Sequence, residues 1–320
     1  MTKFLFIGDV HLSDAPPSKR KDSYKEEILK KLEEIIEISK TQKVDFVAFA
    51  GDMFHHKEPR KVSHRLVQEL STLLRSFEIP VYIVVGNHDI TNGRLESLEK
   101  QPLGVVGQVD NVTLLEWDPI SALDIGLYPI PGTPNVEVSD YKITKMKSVK
   151  WHFILSHQSV VPDKSKEMAI LQNKPFIHDS LEVSKVTKAD AVLYGHQHRR
   201  DGIYERNGKW FVNLGSICRG TIGDEDLNKK PAVLLVKAEE SIELSEIPLT
   251  SVLPSSEVFR LDDHFEAKAH QKDIQDAIAQ LKETTVQDFS IEGIMKDIES
   301  RDDIDPDVSD RALSLLEQVR

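Results

Sequence analysis

The chain has 320 residues, 39% of them hydrophobic and 29% charged, with a formal net charge of −12. That balance describes a folded globular protein of one large domain plus an appendage, or of two domains, and no apolar run approaches the ~20 residues needed to span a bilayer. The single cysteine, Cys218, excludes an intramolecular disulfide framework and a cysteine-built metal site, so any ligands must come from His, Asp, Glu and Asn.

The opening MTKFLFIGDV reads as a first strand rather than a leader, because its short apolar stretch runs straight into an aspartate. A cytoplasmic protein is expected, or one in the host cytoplasm if the source is viral. Next comes PPSKRKD, a basic loop, followed by SYKEEILKKLEEIIEIS, which places Tyr24, Ile28, Leu32, Ile35 and Ile36 on one helical stripe. Ser23 and Glu26 have the spacing of a capping box at its start. VDFVAFAG is a second strand, residues 63–77 a second helix and PVYIVVG a third strand. This β-α-β-α-β opening predicts parallel strands joined by right-handed crossovers.

Further strands are expected at NVTLLEW, ALDIGLYPI, WHFILSH, AVLYGH, WFVNLGS and PAVLLVK, several apolar enough for a sheet covered on both faces. In ERNGKW, Asn207-Gly208 marks a hairpin turn, so antiparallel pairs belong in the second half. Near LTSVLPSSEVF the composition shifts to Pro and Ser. We place a boundary there, giving a domain 1–254 and an appendage 255–320 with helices at about 264–283, 290–300 and from Pro306 onward, the last capped by Asp305. The appendage is acidic: residues 255–320 hold 17 Asp and Glu against 8 Lys and Arg, which leaves the larger part nearly neutral and able to carry a local basic surface.

Ligands of an open α/β sheet bind beyond the carboxyl ends of its strands, and five apolar runs here end in polar residues. KFLFIG leads to Asp9 and His11, VDFVAFAG to Asp52, PVYIVVG to Asn87, His88 and Asp89, WHFILS to His157, and AVLYG to His196 and His198. Any one of these could be an ordinary turn or capping residue. Oxygen and imidazole donors without thiolate suit divalent Mn, Fe or Zn. The donors outnumber the open-site set of one catalytic metal, which implies a pair of ions ~3.5–4 Å apart, an arrangement suited to phosphate-ester hydrolysis.

In order, GDVH, GDMF, GNHD, SH and GHQH resemble the five motifs of the calcineurin-like metallophosphoesterases. The resemblance implies that family's α/β fold: mixed β-sheets in a sandwich flanked by helices, here with a small C-terminal α/β or helical cap-like appendage. It implies Asp9, His11, Asp52 and His198 on one metal, and Asp52, Asn87, His157 and His196 on the other. A hydroxide bridging the ions would attack phosphorus. His88 would face the substrate and protonate the leaving oxygen, while Asp89 would hold the His88 ring and keep it cationic.

Within the family the chain looks most like the DNA-repair and recombination nuclease branch of SbcD-like proteins and phage recombination nucleases. DVHL with a basic loop and long helix, GDMFHHKEPR, Asp rather than Glu in GNHD, and NLGSICRG after GHQHRR carry that likeness. Leu214 stands where the branch commonly has proline. The branch implies a Mn-dependent 3′–5′ exonuclease with endonuclease activity, sequence-independent DNA binding, a partner that is an SMC-like ABC ATPase of the SbcC type, and a homodimer built on residues 62–77 and 94–100. DNA-contact candidates are Lys19, Arg20 and Lys21 in the basic loop, and Arg199 and Arg200 after the last motif. His55, His56 and His64 read as loop or interface residues. Two other readings stay open: a phosphodiesterase for small cyclic-nucleotide-type substrates, and a non-enzymatic scaffold on the same fold.

Overall fold

A computed structural model describes residues 1–17, 19–163, 177–220, 222, 224–261, 291–301 and 303–317. In chain order the strands are β1 (Thr2–Ile7), β2 (Phe46–Phe49), β3 (Val81–Val84), β4 (Val112–Leu115), β5 (Ile120–Ala122), β6 (Ile125–Ile130), β7 (Trp151–Ser156), β8 (Ser159–Val161), β9 (Ile177–Asp179), β10 (Ala191–Tyr194), β11 (Gly202–Arg206), β12 (Lys209–Asn213), β13 (Ala232–Ala238) and β14 (Ile242–Pro248). The helices used below are α1 (Tyr24–Gln42) and α2 (His64–Arg75).

Two six-stranded sheets organise the protein, in the orders β14-β13-β1-β2-β3-β4 and β11-β12-β10-β7-β6-β5. The first is parallel from β1 to β4, as the β-α-β-α-β opening predicts, and closes with the antiparallel β13 and β14. The second runs parallel through β6, β7, β10 and β12, with β5 and β11 antiparallel at its edges. Phe4, Phe6 and Phe46 of the first sheet pack with Phe153, Leu155 and Leu193 of the second in one buried layer. The Phe4 and Phe46 rings stack at 4.6 Å, and Phe153 meets Phe4 edge-on at 5.2 Å. Ile28, Leu32 and Ile35 of α1 and Leu66, Leu70 and Leu74 of α2 cover the outer face of the first sheet. This is the expected sandwich of mixed sheets flanked by helices, and its strands carry apolar side chains on both faces because both faces are covered.

Local departures from the sequence reading have clear causes. ALDIGLYPI is a hairpin rather than one strand: Leu123, at φ 57°, turns the chain between β5 and β6. Ser23 precedes α1 but makes no side-chain capping bond, so the predicted capping box does not form. Ser63 does cap α2, its hydroxyl accepting from Leu66 N at 3.0 Å. Asn207 and Gly208, at φ 49° and 71°, make the predicted tight turn between β11 and β12.

The chain separates into two compact units, Met1–Phe259 and Arg260–Arg320. Residues 255–259, which the composition shift assigns to the appendage, pack within the larger unit, where Val258 and Phe259 are fully buried. In the smaller unit the helices Ile291–Glu299 and Pro306–Glu317 pack against each other, and Asp305 accepts from Asp307 N at 3.0 Å. The helix expected at 264–283 lies outside the described residues. Among the described residues no helix is long and apolar enough to cross a membrane.

Candidate metal centre

β1, β2 and β3 of one sheet and β7 and β10 of the other deliver their following loops to one place, and all seven expected ligands meet there. Asp9, His11 and His198 offer donor atoms within 4.8 Å of one another, as do Asp52, His157 and His196. Asp52 stands between the two groups: its Oδ2 lies 3.5 Å from His11 Nε2 and 3.3 Å from His157 Nε2. Asn87 Oδ1 is 2.8 Å from His196 Nδ1 and 3.0 Å from His157 Nε2. His198 Nε2 is 3.6 Å from Asp9 Oδ2. The loops approach closely enough that a Cβ at Gly86 would collide with the Asp52 carboxylate, which fixes glycine at that position.

The donor chemistry fits divalent cations. His11 Nε2 and His198 Nε2 converge to 2.8 Å, a contact of two imidazole nitrogens flanked by carboxylates that a shared cation accounts for. Burial, then the neighbouring His198, hold His11 well below the ordinary imidazole range, and burial also lowers His198. Burial and the adjacent His157 bring His196 down to about 4. These rings are neutral at pH 7, with lone pairs available, which is the ligating form. His157 goes the other way: burial opposes its charge, but the carboxylates of Asp52 and Asp9 raise it to about 10. Its Nδ1 donates to Ala50 O at 2.7 Å, which turns Nε2 toward Asp52 and Asn87.

His88 forms a third group with His11 and Asp52, their donor atoms also within 4.8 Å of one another. Its backbone N–H donates to Asp52 Oδ1 at 2.7 Å, and its Nδ1 donates to the carbonyl of His55 at 2.6 Å. The expectation that Asp89 holds the His88 ring is therefore corrected. Asp89 instead accepts from three backbone N–H groups, Asp52 and Gly86 at 2.9 Å and Met53 at 3.1 Å. Burial and the nearby Asp52 nevertheless raise Asp89 to about 7.

The basic candidates divide. Lys19 and Lys21 are exposed, whereas Arg20 is 2% exposed and is no surface contact for DNA. Its guanidinium is bound to both carboxylate oxygens of Asp22, to Glu27 at 3.3 Å and to the carbonyl of Arg219, and it lies over Tyr24 and Phe259. A buried cluster absorbs it. Arg199 pairs with Asp201 at 3.3 Å, and Arg200 with Glu246. Sequence reasoning set His55 aside, yet its ring sits edge-on to His11 at 5.6 Å and its carbonyl anchors His88. Its place directly after GDMF was the available signal.

A family model for calcineurin-like phosphoesterases matches residues 2–200. The chain belongs to that family. Calcineurin-like phosphoesterases use divalent metals, in keeping with the His and Asp groups described above. This phosphoesterase is 27% identical over 229 residues to the DNA double-strand break repair protein Mre11 of Archaeoglobus fulgidus, covering 68% of this chain and 50% of that protein. It is 26% identical over 236 residues to Mre11 of Haloferax volcanii, covering 71% of this chain and 48% of that one. Mre11 of Methanococcus maripaludis is 27% identical over 268 residues, covering 71% and 65%. The phosphoesterase thus spans about half to two thirds of the length of these curated relatives, and the likeness to the DNA-repair branch read from the motifs is borne out. Among solved structures, a dimetal phosphatase from Danio rerio shares the fold, with a TM-score of 0.51 at 13% identity, covering 77% of this chain and 95% of that one.

Proposed function

We propose that this phosphoesterase is a DNA nuclease acting in double-strand break repair or recombination, cleaving phosphodiesters with two divalent ions, manganese foremost. The observation that carries the reading is Asp52 Oδ2, within 3.5 Å of a histidine from each donor group. Asp9, His11, Asp52 and His198 would hold one ion, and Asp52, Asn87, His157 and His196 the second. When bound, the ions polarise the phosphoryl group, lower the pKa of an attacking water and take up the charge of an in-line displacement.

The protein's own groups supply the rest. Because Nδ1 of His88 is committed to the His55 carbonyl, Nε2 is the atom that carries a proton to the departing sugar oxygen as the P–O bond breaks. The His55 carbonyl holds the ring in the place first expected for Asp89. Replacing His88 with alanine should lower turnover by about 10²–10⁴-fold while leaving metal stoichiometry unchanged. Degradation of end-labelled duplex DNA with added manganese measures this. Undiminished cleavage by the variant would remove His88 from the reaction, and hydrolysis of a small phosphodiester without any action on DNA would favour a small-molecule enzyme.

DNA is held without reading its sequence, through backbone phosphates. Lys19 and Lys21 are exposed cations of the basic loop, and Arg199 and Arg200 sit after the last motif already paired with acids. Substituting Lys19 and Lys21 with alanine should weaken binding equally across sequences and flatten the slope of log affinity against log salt by roughly one for each phosphate no longer neutralised. Unchanged salt slopes in fluorescence anisotropy would clear both residues of a role in holding DNA. The labels would also report the direction of digestion, for which the branch likeness favours 3′–5′ exonuclease action with endonuclease activity. That likeness also supports a homodimer through residues 62–77 and 94–100, and an SMC-like ABC ATPase partner. The acidic part from residue 255 onward is then the cap or the partner-binding segment, and residues 1–254 the nuclease domain.

A further inference from the structure

Among the expected ligands, His11, Asp52 and His196 have left-handed backbone, at φ 51°, 47° and 70°. Side-chain-bearing residues adopt that conformation sparingly, and it persists where surrounding contacts over-determine it. For His11 and Asp52 those contacts can be named, and they come from two buried side chains outside the ligand set.

Tyr24, in the first turn of α1, donates its hydroxyl to the His11 carbonyl at 2.8 Å. From the other side, His11 N donates to the Asp52 carbonyl at 2.8 Å, so the two left-handed residues are joined through their backbones. Asp89 completes the arrangement. Its carboxylate accepts from Asp52 N, Met53 N and Gly86 N, tying the loop after β2 to the loop after β3 that carries Asn87. Both side chains are 2% exposed, so water does not compete for these bonds.

We infer that Tyr24 and Asp89 are positioning residues that hold His11 and Asp52 in their left-handed conformations before metal arrives, so that the donor atoms are already convergent when the ions bind. This rests on the reading of His11 and Asp52 as metal ligands. Neither residue touches metal or substrate. Their contribution is to affinity for the ions, since a ligand whose backbone must be strained at the moment of binding loses part of the binding free energy to that change.

Calorimetric titration of Mn²⁺ into chelator-treated protein, with thermal melts of the metal-free forms, tests the assignment. Tyr24→Phe removes one hydroxyl and keeps the ring. Asp89→Asn keeps the shape but turns an amide toward a backbone donor. Tyr128→Phe is the control, because it loses a hydroxyl that accepts from Met146 N and donates to the Thr144 carbonyl, on the second sheet's outer cluster. The wild-type chain should take two ions, with affinity reduced ~10–100-fold in Tyr24→Phe and Asp89→Asn and unchanged in Tyr128→Phe. Turnover in Tyr24→Phe should recover at saturating Mn²⁺, which a loss of stability alone would not produce. If Asp89→Asn fails to fold, Tyr24→Phe decides. Wild-type Mn²⁺ affinity in Tyr24→Phe overturns the inference and leaves the metal reading intact. A wild-type chain that binds no Mn²⁺ overturns both.

Discussion

Asp52→Ala should abolish hydrolysis more completely than any other single ligand change, with the rate falling about 10³-fold or more, since several kcal/mol of charge stabilisation is lost at 1.36 kcal/mol per decade. The reason is geometric. Asn87 touches one donor group through His157 and His196, whereas the Asp52 carboxylate faces a histidine of each group and also accepts the His88 backbone N–H. Its loss therefore reaches both ion positions and the residue proposed as the proton donor. Elemental analysis of purified Asp52→Ala and Asn87→Ala separates the cases: depletion at both positions in the first, and retention of one ion per chain in the second. Two ions per chain in Asp52→Ala would overturn its assignment as the shared ligand.

The second large effect concerns stability. Glu27 on α1 is buried and pairs with Lys31 at 2.7 Å, Arg20 at 3.3 Å and Arg219 at 3.4 Å. Arg219 also donates to the Leu253 carbonyl at 2.7 Å, and Lys31 to the Ile217 carbonyl at 2.7 Å, while Ile217 N donates to the Asp9 carbonyl at 3.0 Å. Removing the one acid that touches all three cations leaves buried positive charge uncompensated, which typically costs about 3–5 kcal/mol. At roughly 2–4 °C per kcal/mol for a domain of this size, Glu27→Ala should melt about 10 °C or more below wild type. A melt within about 2 °C of wild type would show that the cluster is not held by its charges. Lys31 adds a pH signature. Burial outweighs the attraction of Glu27 and lowers its amine to about 8, against an ordinary 10.5. Between those values the unfolded chain holds a proton that the folded chain has shed, so this group makes the fold more stable as pH rises through that window.

The convergence of the candidate donors was legible because they follow apolar runs within a few residues, so that spacing along the chain stands in for position in space. The partition of seven ligands came from the family resemblance alone, and the donors gather in three groups, one of which pairs His88 with His11 and Asp52. What the sequence hid was long-range. Arg20 in PPSKRKD reads as a solvated charge, and only Arg219 and Phe259, far along the chain, reveal that it is enclosed. Asp89 sits beside His88 in GNHD, and adjacency suggested a contact that the loop does not make, since the carboxylate turns inward to the backbone of residues 52 and 53. The β5–β6 hairpin was missed because its turn contains Leu123 and Asp124 rather than a glycine signal.

The proposed ligands come from both sheets, Asp9, His11, Asp52 and Asn87 after β1–β3 and His157, His196 and His198 after β7 and β10. An ion seated among them is consequently a noncovalent crosslink between two halves of the sandwich that are more than a hundred residues apart in the chain in the case of His11 and His198. At a hundredfold excess over its dissociation constant, such an ion adds about 2.7 kcal/mol to the folded state. Supply of the ion would then govern how long the chain survives proteolysis as well as how fast it works.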